Sequence, residues 1–113
     1  MRVIIAGSRH IDYYRAVVDS IEQSGFEITT IVSGGAYGVD AAGERYAAEN
    51  NIPLEIYKAD WQTYGISAGP IRNEMMAKNA DALILIWDGK SKGSASMLKT
   101  AFKHGLSIFN VIV

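Results

Sequence analysis

Five short runs of apolar residues divide the chain at regular intervals and predict the strands of a sheet. These runs are rich in β-branched and aromatic residues, which favour extended backbone. They cover residues 3–6, 29–32, 54–57, 82–87 and 107–113. Because several of the runs contain almost no polar residue, they are typical of strands that are covered on both faces.

The segments between these runs carry apolar residues at helical spacing and predict four helices. Asp12 is placed as the N-cap of the first helix, and Gly25 is placed to end it. Pro70 is predicted to open the third helix, which extends to about Asn79, and Gly105 closes the fourth. The predicted apolar faces are Tyr14, Val17, Val18 and Ile21 in the first helix, Val39, Ala42, Gly43, Tyr46 and Ala47 in the second, and Ala95, Leu98, Ala101 and Phe102 in the fourth.

The order of these elements is βαβαβαβαβ, which predicts a parallel sheet with helices on both faces, since crossovers between parallel strands are right-handed. We therefore expect an α/β fold, a compact Rossmann-like three-layer domain with a five-stranded sheet in the order 3-2-1-4-5. One domain is expected to cover residues 1–113. In such a sheet a ligand binds outside the carboxyl ends of the strands, where the strand order reverses.

The composition narrows the class of protein. The chain has 113 residues, of which 49% are hydrophobic and 20% charged, with 11 Lys and Arg against 12 Asp and Glu. This balance argues against a nucleic-acid partner, which calls for a basic surface, although Lys90, Lys92, Lys99 and Lys103 could form a local stripe on the fourth helix.

No cysteine is present, and neither histidine has companions at a metal-binding spacing, so we expect no metal and no cofactor. The chain has no long apolar run and no signal-like N-terminus, so we expect a cytoplasmic protein with no membrane partner.

The glycines indicate where a ligand could bind. Eight of the 11 lie in four loops at the expected carboxyl edge of the sheet, and two of these loops lead directly into helices. A helix N-terminus offers unpaired N–H groups and a partial positive charge, so loops of this kind are typical of phosphate sites. The alternative is that the glycines only serve the turn geometry. Neither loop matches the dinucleotide fingerprint or the Walker pattern, so dinucleotide redox chemistry and P-loop hydrolysis are not supported.

Several polar and aromatic residues have more than one interpretation. Asp40 could stabilise the first turn of the second helix, or it could accept a hydrogen bond from a ribose hydroxyl. Arg9 follows the first strand and is expected to face the ligand. Trp61 and Tyr64 could stack on a base, or they could pack within the loop or against a second subunit. Arg72 is expected in an exposed first turn of the third helix, where a cation is unfavourable unless an anion compensates it; a solvated helix end is the alternative.

The glycine loops and their neighbours resemble the SLOG superfamily, which takes its name from the DNA-processing protein Smf/DprA and the Lonely Guy cytokinin-activating enzymes. The resemblance covers essentially the whole chain and is closest to the small YspA-like branch. The residues that carry it are Gly7-Ser8-Arg9, Ser33-Gly34-Gly35-Ala36, Gly38-Val39-Asp40, Gly69-Pro70-Ile71-Arg72-Asn73, Met76, Ala80-Asp81, Trp87-Asp88-Gly89 and Lys92-Gly93-Ser94.

This resemblance implies a pocket for a nucleotide-derived ligand at the glycine-rich loops. Ser33, Gly34 and Gly35 match the first phosphate loop, Gly93 and Ser94 match the second, and Arg72 matches an arginine beside the sugar and phosphate. The full set of expected ligand-binding residues is Gly7, Ser8, Arg9, Ser33, Gly34, Gly35, Ala36, Asp40, Arg72, Asn73, Asp88, Gly89, Gly93 and Ser94.

One departure from the resemblance bears on activity. Lonely Guy enzymes carry a catalytic glutamate in the second phosphate loop, and Met97 stands at that position here. A methionine cannot move a proton, so we expect a non-catalytic sensor or sequestering protein for an NAD- or cyclic-nucleotide-type ligand. The alternatives are a nucleoside monophosphate hydrolase that uses Glu74 or Asp88 as a relocated acid, and single-stranded DNA binding. The resemblance also implies a homo-oligomer, in which Met75, Met76 and Tyr64 could contact a neighbour.

Overall fold

Five parallel strands form the central sheet of the protein, which is described over residues 1–113 by a computed structural model. The strands are β1 (Arg2–Gly7), β2 (Thr30–Ser33), β3 (Leu54–Ile56), β4 (Ala82–Trp87) and β5 (Ser107–Ile112). Their order in the sheet is β3-β2-β1-β4-β5, and every pairing is parallel. The predicted fold class and strand order are therefore confirmed, and each predicted run lies within one residue of the observed strand.

Four long helices and one short helix connect the strands. They are α1 (Tyr14–Ser24), α2 (Val39–Glu49), α3 (Trp61–Tyr64), α4 (Ala68–Lys78) and α5 (Lys92–Lys103). The short helix α3 lies in a segment without apolar periodicity, and a 3₁₀ turn at Gly65–Ser67 leads from it into α4. The Asp60 carboxylate accepts a hydrogen bond from the Thr63 N–H at 3.1 Å and thereby caps α3.

Two predicted helix starts differ from the structure. Helix α1 has Tyr13 and not Asp12 at its N-cap, and no side chain caps it. Helix α4 begins at Ala68, because the preceding 3₁₀ turn runs straight into it, so Pro70 is its third residue and not its first. The predicted end at Gly25 is confirmed: this residue adopts a left-handed conformation with φ +71°.

The core consists of two apolar layers, one on each face of the sheet. Alternate residues of β1 point to opposite faces, so Ile5 belongs to one layer and Ile4 to the other. Helices α1 and α2 cover the first layer, and α4 and α5 cover the second. All six residues of β4 are buried, which explains the continuous apolar run at 82–87. This arrangement leaves the loops at the carboxyl edge of the sheet free to form a site.

Helix α2 packs closely on β1 because residue 43 has no side chain. A Cβ atom at Gly43 would lie 2.8 Å from Cγ2 and 3.0 Å from Cβ of Ile5. Both contacts are shorter than carbon atoms accept without a shift of the helix or the strand. The glycine is therefore required for the spacing between α2 and the sheet.

We expect Gly43→Ala to lower the free energy of unfolding by about 1–3 kcal/mol, since overpacking outweighs the gain in helix propensity. The matched control is Gly93→Ala in the first turn of α5, where nothing lies within 4 Å of an added Cβ atom. This control should be neutral or more stable by up to about 1 kcal/mol. Urea denaturation of the three proteins measures the difference, and a stabilised Gly43→Ala would contradict the packing argument.

Candidate ligand-binding site

Ser8 joins three loops at the carboxyl edge of the sheet. Its N–H donates to the carbonyl of Ile86 at 3.1 Å, and its carbonyl accepts from the N–H groups of Ile11 at 3.3 Å and Val39 at 3.4 Å. Its hydroxyl oxygen accepts from the N–H of Asp88 at 3.2 Å. Ser8 is buried, so its side chain holds the loops after β1 and β4 together and does not line a cavity.

Two glycines allow these loops to approach one another. A Cβ atom at Gly7 would overlap the carbonyl of Ile86, and one at Gly38 would overlap the carbonyls of Ser8 and Arg9. Gly38 also has φ +72°, a conformation that residues with a side chain rarely adopt. The start of α2 consequently lies directly against the loop that follows β1.

A cavity of about 610 Å³ opens between these loops and the start of α4. Nine of the fourteen residues predicted for the site line it, namely Gly7, Arg9, Ala36, Asp40, Arg72, Asn73, Asp88, Gly93 and Ser94. Loops and helix starts that are far apart in the sequence thus contribute to one cavity, which we call the main cavity.

A second cavity of about 420 Å³ adjoins the main cavity. It contains two further predicted residues, Gly34 and Gly35, in the loop between β2 and α2. Arg9, Ala36, Trp61 and Arg72 line both cavities and so form a shared wall.

The remaining predicted residues, Ser8, Ser33 and Gly89, line neither cavity. The hydroxyl of Ser33 donates to the Glu44 carboxylate at 2.7 Å and accepts from the Gly35 N–H at 3.1 Å. It therefore fixes the glycine loop to α2 and does not face the ligand cavities. Gly89 has φ +77° in the turn before α5.

Arg72 is less exposed than its predicted first-turn position implied. It is the fifth residue of α4, in the second turn, and its guanidinium is partly buried. Its Nη1 donates to the carbonyl of Gly34 at 2.6 Å, and its Nε donates to Oδ1 of Asn73 at 3.0 Å. A Cβ atom at Gly34 would lie 2.6 Å from Nη1, so the glycine makes room for the guanidinium. Burial lowers the pKa of Arg72, whereas the charge of Asp40 opposes that shift.

Asp40 is the buried carboxylate of the site. It lies in the first turn of α2, is 5% exposed, and accepts a hydrogen bond at Oδ2 from the N–H of Ala36 at 3.3 Å. Burial raises its pKa to about 6, although the N–H groups of Ala36 and Gly7 and the charge of Arg72 act in the opposite direction. Because Asp40 both starts the helix and lines the main cavity, its position is compatible with both interpretations drawn from the sequence.

The two carboxylates considered as relocated acids lie in different surroundings. Glu74 lines neither cavity, and its Oε1 lies 2.6 Å from Nε2 of His104 and 3.5 Å from Nζ of Lys103. Asp88 lines the main cavity, where its Oδ1 accepts from the N–H groups of Lys90 at 2.8 Å and Ser91 at 2.9 Å. These hydrogen bonds lower the pKa of Asp88.

Several cavity residues were absent from the predicted set. Met76 and Met97, both almost fully buried, form an apolar part of the main cavity. Trp61 and Ile66 lie at its rim and are 52% and 93% exposed. The other additional lining residues are Ala6, His10, Gly69, Pro70, Ser91, Lys92 and Ser96. The sequence did carry a signal for both methionines: Met76 is among the residues that resemble the SLOG superfamily, and Met97 stands at the position of the catalytic glutamate.

The structure also bears on metal and membrane binding. No three His, Asp or Glu side chains lie together in a geometry that could hold a metal ion. None of the helices has both the length and the apolar character that a bilayer span requires.

Comparisons with known proteins agree with this architecture. Residues 1–64 match the family described as the YspA, cpYpsA-related SLOG family. The chain is 32% identical to the Gene 61 protein of Mycobacterium phage D29 over 119 residues, which cover 96% of this chain and 94% of that protein. Its fold is similar to that of DNA processing protein A (DprA) from Streptococcus pneumoniae, with a TM-score of 0.77 at 20% identity. That alignment covers 96% of this chain but only 49% of the DprA chain, so this chain spans about half of that protein.

The raised pKa of Asp40 predicts a pH-dependent effect of Asp40→Asn. Burial favours the neutral form of Asp40, so the wild-type protein is most stable while this carboxyl is protonated. That contribution to the free energy of unfolding is fully present below the ordinary pKa of 3.8 and is lost as the pH rises through about 6. Asp40→Asn removes that loss, so its free energy of unfolding relative to wild type should rise between pH 4 and pH 7. The rise should be on the order of 2–3 kcal/mol, since each pKa unit corresponds to about 1.4 kcal/mol.

Urea denaturation across this pH range measures the effect, and Asp88→Asn provides a contrast. The pKa of Asp88 is lowered, so its stabilising contribution is present above the ordinary value and is lost as the pH falls below it. Asp88→Asn should therefore destabilise the protein at neutral pH. A constant difference between Asp40→Asn and wild type from pH 4 to pH 7 would contradict the assignment for Asp40.

Proposed function

The chain belongs to the YspA, cpYpsA-related SLOG family, and from that premise we propose that its main cavity binds a nucleotide-derived small molecule without cleaving it. The protein then acts as a sensor or by sequestering the ligand. The observation that carries this proposal is the convergence of Arg9, Arg72 and the N-termini of α2 and α5 at one cavity. Guanidinium groups and helix N-termini both stabilise phosphate oxygens.

The other lining residues suit the remainder of a nucleotide. Met76 and Met97 offer an apolar surface, and the half-exposed ring of Trp61 offers a flat face on which a base can stack. Asp40 and Asn73 supply acceptors for hydroxyl groups of a sugar. The cavity volume of about 610 Å³ falls in the range of about 300–1,000 Å³ that is usual for small-molecule sites.

Binding without cleavage is supported by the carboxylates. Met97 lies in the main cavity at the position where the resemblance to Lonely Guy enzymes would require the catalytic glutamate. Glu74 is paired with His104 away from both cavities. Asp88 has a lowered pKa, so it is charged at neutral pH and has no proton to donate. Asp40 has the raised pKa, but it is buried and held by the Ala36 N–H group.

A small ligand is also favoured over nucleic acid. The net charge of the chain is −1, and Lys103 of the candidate lysine stripe contacts Glu74. The similarity to DNA processing protein A, at 20% identity, concerns the fold alone. A single-stranded oligonucleotide at low salt is included in the binding experiments below as a comparison.

We expect purified protein to bind at least one member of a panel of nucleoside monophosphates, cyclic nucleotides and NAD derivatives in isothermal titration calorimetry. Arg9→Ala should weaken that binding by about 10- to 100-fold, because a lost charge-assisted hydrogen bond costs about 1.5–3 kcal/mol. Arg72→Lys should keep only part of the wild-type affinity, since a single ammonium group cannot bind the Gly34 carbonyl and Asn73 and still donate to a phosphate as the guanidinium does. The matched control is Arg15→Ala, which removes an exposed arginine of α1 whose partner is Asp19.

The results of these binding experiments distinguish ligand binding from hydrolysis and from nucleic-acid recognition. No heat of binding across the panel, together with no small molecule released from the denatured protein, would remove the proposal. Release of free base from a nucleoside monophosphate would replace it with the hydrolase. Binding to the oligonucleotide alone would replace it with nucleic-acid recognition.

We further propose that the protein forms a homo-oligomer through the exposed apolar surface formed by α4, the turn before it and the end of α3. Met75 is 51%, Tyr64 50% and Ile66 93% exposed, whereas Met76 is buried in the core and needs no neighbour.

Light scattering at micromolar concentration should therefore give at least twice the monomer mass. Met75→Lys should shift the population towards the monomer, and this monomer should keep the circular dichroism spectrum of the wild type, since Met75 is half exposed within the subunit. Lys78→Met is the control: it replaces a charged side chain with an apolar one at another exposed position of the same helix, and it should not shift the population towards the monomer. A wild-type monomer at all concentrations would contradict oligomerisation.

A further inference from the structure

The second cavity lies beside the main cavity and shares a wall with it. It is built from the loop between β2 and α2, with Tyr37 at its tip, and the loop after β3, with Lys58. Because Arg9, Ala36, Trp61 and Arg72 line both cavities, one molecule can occupy the two without crossing a barrier of core residues.

The charge of the second cavity is one-sided. Arg9, Lys58 and Arg72 line it, and no Asp or Glu does, whereas the main cavity also contains Asp40 and Asp88. Neither Arg9 nor Lys58 forms an ion pair within the chain. Cations that are gathered in a concave surface without a carboxylate favour an anionic group there.

The backbone of the glycine loop keeps this cavity open. Gly35 has φ +73°, and a Cβ atom there would lie 3.1 Å from Cγ2 of Ile56 and 3.9 Å from Cγ of Lys58. The loop therefore lies close to the end of β3 and leaves room above it. Tyr37 is 80% exposed and Trp61 is 52% exposed, so two aromatic rings are available for a flat group such as a base or a sugar.

Arg72 lies where the two parts meet. Its Nη1 is bound to the Gly34 carbonyl and its Nε to Asn73, while Nη2 has no hydrogen-bond partner within the chain. A phosphate at the shared wall can accept a hydrogen bond from Nη2 and contact Arg9 at the same time. A second phosphate joined to the first would enter the cavity that Lys58 lines.

From this geometry we infer that the ligand has two parts joined by a pyrophosphate, with a nucleotide in the main cavity and the second phosphate and its substituent in the second cavity. This inference rests on the proposed function and makes it more specific. The main cavity alone is large enough for a mononucleotide, including a cyclic one, whose phosphate would contact Arg9 and Arg72. Such a ligand would leave Lys58, the one cation that lines only the second cavity, without an anionic partner. A pyrophosphate-linked ligand, such as a dinucleotide or a nucleoside diphosphate sugar, contacts both.

Two matched pairs of probes test the inference: AMP with ADP-ribose, and GMP with GDP-glucose. For at least one pair, the pyrophosphate-linked probe should bind at least about tenfold more tightly than the mononucleotide. Lys58→Ala should raise the Kd of the pyrophosphate-linked probe by about tenfold and leave that of the mononucleotide unchanged. Lys58→Arg should retain most of the affinity, because it keeps the charge.

The matched control is Lys92→Ala, which changes an exposed lysine that lines only the main cavity. It should weaken both members of a pair to a similar extent. Equal affinity of the two probes, or an equal effect of Lys58→Ala on both, would overturn the two-part ligand while the proposed function stands. Failure of all four probes to bind would overturn the two-part ligand and remove these nucleotides from the proposed function.

Discussion

The hydrogen bonds of Ser8 hold the loops after β1 and β4 and the start of α2 within one small volume, and the site depends on them. The residues that bond to its backbone, Ile11, Val39 and Ile86, are buried, so an unmade bond to any of them would carry the cost of desolvation. Gly7 and Gly38 allow the loops to come close enough to form these hydrogen bonds, because a side chain at either position would force the loops apart. The cavities are therefore a consequence of backbone packing, and the side chains that face them are free to be polar.

Within that frame, Arg72 and Asp40 form the electrostatic centre. Burial acts against the charged form of both groups: it lowers the pKa of the arginine and raises that of the aspartate, and the attraction between the two opposes each shift. The guanidinium crosses to the Gly34 carbonyl and so connects α4 to the glycine loop. Because an arginine stays protonated, an anion bound at Arg72 would act on Asp40 directly, and the repulsion between the two negative charges would raise the pKa of Asp40 further.

The sequence predicts the sheet more accurately than the site. A parallel sheet that is covered on both faces needs continuous apolar strands, and the handedness of the crossovers leaves few orders, so the strands and their order could be inferred. The four-residue helix α3 has too few residues to show a period. The burial of Arg72 could not be predicted, since its partner Gly34 lies 38 residues away in the chain. The second cavity could not be predicted either, because it forms only where the glycine loop and Lys58 lie close together in the folded chain, and no short-range sequence pattern indicates that distance.

The two edges of the sheet differ in a way that affects how copies of the chain can meet. Strand β3 has only three residues, follows Pro53, and carries Glu55, which is paired with Arg2 of β1 at 2.6 Å. A short edge that begins after a proline and bears a charged side chain is a poor template for another strand. Growth of the sheet by strand addition is therefore disfavoured on this side. The opposite edge strand, β5, has six residues and neither a proline nor a charged side chain, so strand addition is open on that side alone.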